Sequence, residues 1–83
     1  MNLEQERMDI LTRAAEGRER EVMHYQINID NYALALEQIA ALPVDERADL
    51  SGFADQLRTL LASEKLEQKK AKIMLAVMKQ QLE

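Results

Sequence analysis

His24 is the one histidine in the chain, and Glu21 and Asn28 lie a helical turn to either side of it. The chemistry this trio suggests is transition-metal binding. Such sites draw on three or four imidazole, thiolate or carboxylate ligands. The chain has no cysteine, and one imidazole beside one carboxylate falls short, so no metal is expected. His24 reads as a surface or interface histidine, able to make an interface pH-sensitive if it sits at a subunit seam.

Catalysis finds even less support. There is no glycine-rich phosphate loop, no nucleophile elbow and no HExxH pair. The aspartates and glutamates fall at spacings that suit solvated helix faces. No nucleophile with an adjacent base can be named, so no enzyme, cofactor or small-molecule substrate is expected. Lys65, Lys69, Lys72 and Lys79 cluster in the C-terminal half and suggest a phosphate-contacting face. Glu64, Glu67 and Glu83 dilute that charge, and no aromatic side chain stands beside it for stacking. A solvated helix surface is the favoured reading, and nucleic acid the disfavoured one. Tyr25 and Tyr32, one heptad apart, suit either core packing with their hydroxyls at the edge or a recognition surface.

The elements that hold these residues follow from composition. The chain has 83 residues, with two glycines and one proline. Glu, Gln, Leu, Ala, Lys, Arg and Met dominate, the residues that lose least on entering a helix. The length allows one domain, residues 1–83. No apolar run approaches the ~20 residues of a membrane span. The opening residues MNLEQERMDI are charged and lack the apolar core of a secretory signal. A net charge of −4 suits a cytoplasmic protein.

The stretch MHYQINIDNYALAL (23–36) alternates like a strand at Met23, Tyr25, Ile27 and Ile29. It also carries a heptad frame that runs unbroken from Met8 through Leu11, Ala15, Arg18, Val22, Tyr25, Ile29, Tyr32 and Leu36 to Ile39. A lone strand would leave its ladder groups unpaired, and no second strand is on offer. The helix is therefore expected. Pro43 ends it, and Asp45 is expected to cap a second helix. The sequence predicts an all-α antiparallel hairpin, about 3–41 and 45–82, each helix roughly 57 Å long.

Folding at Pro43 brings the two apolar stripes together. The expected hairpin core is Leu11, Val22, Tyr25, Ile29, Tyr32, Leu36 and Ile39 against Leu50, Leu57, Leu61 and Leu75. In this register Arg18 falls opposite Glu67 and Gln68, with Glu64 a turn away. Arg18, Glu64 and Glu67 are thus expected to form a polar layer that fixes pairing at some cost in stability. Gly17 beside it either permits close helix approach or marks a bend.

A hairpin covers one face of each helix, yet both are apolar on a second. Met23, Ile27 and Leu34 lie off the heptad face of the first helix. Phe53 and Leu60 widen the stripe of the second, and Ile73, Met74, Val77 and Met78 belong to a segment that is apolar all round. These nine residues are the expected oligomer or partner interface. A homodimer forming a four-helix bundle would cover them. In architecture alone such a dimer resembles the ROP-type bundle; no sequence motif is shared, so no function carries over. The function expected is a non-enzymatic protein-interaction module acting through apolar helix faces. It would be an adaptor, an assembly chaperone or a phage-type inhibitor of a host protein. The alternatives are a self-assembling structural subunit and, behind it, a nucleic-acid-binding bundle.

Overall fold

The structure, a computed structural model, describes residues 2–83. The chain is all-helical, with no strand among the described residues. Helix α1 runs Leu3–Ala40, α2 Val44–Asp49 and α3 Ser51–Leu82. Helices α1 and α3 pack along their lengths as a hairpin, a rod of 68 × 16 × 14 Å.

Asn2 starts α1. Its backbone is extended, and its side-chain oxygen accepts from the amides of Glu4 (3.1 Å) and Gln5 (3.2 Å). Two of the free amides of the first turn are thereby satisfied. Glu4 and Glu6 place negative charge where the helix dipole favours it. The helix stops at Ala40, where Leu42 still donates back to the Ile39 carbonyl (3.1 Å). Pro43 then disfavours helical backbone at Leu42.

The second half differs from the expected helix 45–82. Pro43, not Asp45, occupies the N-cap position of α2. Its φ of −56° and ψ of 155° let its carbonyl accept from the Arg47 amide (3.0 Å), while Asp45 and Glu46 sit in the first turn. The ladder then breaks at Leu50 (φ −101°, ψ 8°), which serves both as C-cap of α2 and as N-cap of α3. From there α3 is continuous, passing through Ser51–Gly52 and Ala62–Lys65. The cause of the break lies in the connection. Two packed helix axes stand roughly 8–10 Å apart, and six helical residues rise about 9 Å, so α2 has the length of the link. Ser51 and Gly52, weak helix formers, stand where the ladder restarts.

Residues spent in α2 are lost to the seam, which shifts the register. Gln68 packs against Val22 and Gln26, a turn along α1 from the expected Arg18. Asn28 donating to Glu64 (3.4 Å) shows the same shift, while at the open end Arg7 donates to Gln81 (2.6 Å), about half a turn from the expected pairing.

The core is narrow. Ala15 and Ile29 of α1 and Ala54, Leu57, Gln68 and Ala71 of α3 are buried. Alanine recurs because small side chains let two helix backbones approach; Ala71 is 2% exposed. No helix of the described chain is long and apolar enough to cross a membrane.

Candidate functional site

The heptad residues of α1 and α3 line the seam. Ile29 and Leu57 are buried. Leu11, Val22, Tyr25, Tyr32, Leu36, Ile39, Leu50, Leu61 and Leu75 are half-buried, so one partner helix leaves them part open. Gln68, 8% exposed, sits among them. Its Nε2 donates to the Val22 carbonyl (3.2 Å) and to Gln26 Oε1 (2.9 Å). This is the polar node of the seam, and sequence reasoning passed over it. The signal was present: Gln68 continues the frame of Leu57, Leu61 and Glu64 into Ala71 and Leu75, and a buried amide needs partners.

The expected polar layer is not bridged by Arg18. Arg18 pairs with Glu21 on its own helix (2.9 Å), and Glu67 pairs with Lys70 (3.0 Å). The register shift explains this, since it carries Arg18 past Glu64 and Glu67. The carboxylates gather instead around Tyr25, whose hydroxyl donates to Glu21 (3.4 Å). Partial burial raises the Tyr25 pKa above its usual 10.0, helped by the negative fields of Glu21, Glu67 and Glu64. The phenol is held neutral.

Contacts across the seam define its two flanks. On one, Asn28 meets Glu64, and Glu67 lies near Tyr25. Counting by 3.6 residues per turn, Phe53, Leu60 and Met74 share a stripe with Glu67, about 40–60° round from whichever of Leu57 and Ala71 is nearer in sequence. On α1 this flank carries Ala14, Glu21, Asn28 and Ala35. On the other flank Lys79 pairs with Glu19 (3.3 Å), and Gln26 meets Gln68. Its stripe on α3 is Arg58, Lys65, Lys72 and Lys79. One flank is therefore largely apolar with an acidic middle, and the other is charged.

Eight of the nine residues expected at an interface fall into three groups. Phe53, Leu60 and Met74 lie on the apolar flank, 50%, 45% and 42% exposed. Met23, Ile27 and Leu34 lie on the back of α1, turned well away from Ile29. Ile73 and Val77, joined by Leu66, lie on the back of α3. Met78 is half-buried beside the seam. Sequence pooled these as one surface; the seam separates them, because it fixes which side of each helix is the back.

Chemistry is sparse. His24 is exposed, and no group of three or more histidine, aspartate or glutamate side chains among the described residues is arranged to hold a metal ion. An open cleft near the turn is lined by Leu36, Ile39, Ala54 and Arg58, with Asp55 holding Arg58 (2.8 Å). Its one carboxylate–guanidinium pair is exposed and belongs to neighbouring turns of α3. Such a pair is a solvated surface bridge. No family model matches the chain, and no curated protein or solved structure is detectably similar to it.

Proposed function

We propose that this chain is a non-enzymatic protein-interaction module that works through exposed apolar helix faces, with two hairpins pairing as a homodimeric four-helix bundle. The observation that carries this reading is surface area. The chain exposes 6323 Å². A compact monomer of 9.6 kDa exposes about 5,100 Å² on the usual scaling. The excess is about 1,200 Å² per chain, more than the ~800 Å² each partner contributes to a standard interface. Twelve large apolar side chains are exposed among the described residues, and with no cysteine no disulfide can supply the missing stability. Association supplies it by covering apolar surface.

Light scattering across a concentration series tests the reading. A mass of two chains supports it. A monomer at every concentration, with full helicity and no exposed-surface dye binding, overturns it. A second reading, a self-assembling structural subunit, draws on the apolar backs of α1 and α3, which a closed pair of hairpins leaves uncovered. Contacts between unlike faces generate open assemblies, so mass that climbs without limit would favour that reading.

A further inference from the structure

We infer that the second copy docks on the flank carrying Phe53, Leu60 and Met74, and that the opposite, lysine-bearing flank and both helix backs stay outside the bundle. This rests on the dimer reading above and adds the face.

A four-helix bundle asks each helix for two contact faces roughly a quarter turn apart. The Phe53–Leu60–Met74 stripe lies beside the seam on one flank, about 40–60° round from the nearest buried residue of α3. The backs lie nearly opposite the seam, so a hairpin seated there would touch one helix only. The lysine flank lies as near the seam and has the wrong surface. All four positions of its α3 stripe are basic and would have to leave water on both copies, whereas charge on the chosen flank is confined to its middle, at Glu21, Glu64 and Glu67.

The apolar flank also offers room. Across from Phe53, Leu60 and Met74, α1 presents Ala14 and Ala35, small residues that let another helix approach. The half-buried seam residues beneath gain the cover that one hairpin does not give them. The face reads apolar, acidic, apolar along the rod. A twofold axis through its middle therefore matches apolar ends with apolar ends, as an isologous contact requires.

The chain has no cysteine, so single-cysteine variants report each face cleanly. Leu60→Cys and Met74→Cys probe the flank; Ile27→Cys and Ile73→Cys probe the two backs; Lys72→Cys probes the charged flank. Each is alkylated with iodoacetamide at concentrations below and above the association midpoint. Leu60→Cys and Met74→Cys should react roughly tenfold more slowly or less when associated, because the thiol must wait for dissociation. The other three should keep their rates. Protection at Ile27→Cys, Ile73→Cys or Lys72→Cys with free reaction at Leu60→Cys overturns the assignment. The charge variant Leu60→Glu gives a second reading by mass: a folded monomer, or weakened association of at least about tenfold, supports the face, and an unchanged dimer rejects it. A wild-type chain that never associates would instead remove the dimer itself, leaving no concentration dependence at any position.

Discussion

Truncating Gln68 to alanine should destabilise the hairpin by about 2 kcal/mol. Gln68 is 8% exposed, and its Nε2 makes two bonds, to the Val22 carbonyl and to Gln26 Oε1. A neutral intramolecular hydrogen bond contributes about 0.5–1.5 kcal/mol net, so two contribute roughly 1–3. Alanine regains a few tenths through helix propensity, and the small void left beside Val22 costs a comparable amount. In a domain of this size about 2 kcal/mol lowers Tm by roughly 8–16 °C. Urea unfolding followed by helical circular dichroism measures it, at fixed protein concentration because association adds to stability. The double-mutant cycle with Gln26→Ala isolates the 2.9 Å bond, with an expected coupling of about 0.5–1.5 kcal/mol. A Gln68→Ala loss below about 0.5 kcal/mol, or a cycle that closes to zero, would refute the claim that this amide is the polar node of the seam. The double variant Gln26→Leu with Gln68→Leu is the counter-experiment: apolar volume in place of both partners of the bond should be near neutral in stability.

Four further outcomes are expected. Gly17→Ala should stabilise by about 1 kcal/mol, since a Cβ there meets nothing within 4 Å and glycine weakens a helix interior; a loss in thermal melting would contradict the open space. Ala71→Leu should destabilise by about 1–3 kcal/mol by forcing the helices apart at a position 2% exposed, read by denaturant titration. The raised Tyr25 pKa means the folded chain holds the phenolic proton more tightly than the unfolded chain does. That stability is fully present below pH 10 and is lost as pH rises through the folded value, so the gap between wild type and Tyr25→Phe should change above pH 10 and stay flat below it. Glu67→Gln should tighten self-association by about two- to fivefold, because a twofold contact on the apolar flank brings like charges together; sedimentation equilibrium at low salt would show it, and weaker association would count against that face.

Much of the fold was legible. The heptad frame from Met8 to Ile39 specified α1, because a 3.6-residue period sustained over ten positions outlasts a local alternation such as Met23–Tyr25–Ile27. Pro43 specified the reversal, because the preceding residue cannot stay helical. Of the expected core, Ile29 and Leu57 are buried; the other buried residues, Ala15, Ala54, Gln68 and Ala71, are small or polar and were outside it. Gln68 is legible in the frame that runs through Leu57, Leu61, Glu64, Ala71 and Leu75, and it is buried there.

The register was not legible. It depends on how many residues the chain spends in crossing from one helix axis to the next. That is a distance set by the packed seam, and no property of Val44 to Leu50 taken alone reveals it. The six residues of α2 accompany a shift of about a turn or more in the middle of the seam, at Gln68 and Asn28, leaving Arg18 with Glu21 on its own helix. The division of the outer apolar residues is of the same kind. Periodicity told that Phe53, Met23 and Ile73 lie off the seam; only packing decided that the first flanks it and the other two turn their backs. Sequence alone fixes angles around each helix axis, since they depend on local spacing. Tertiary structure decides how those axes are placed against each other, and with that which apolar faces remain to be covered.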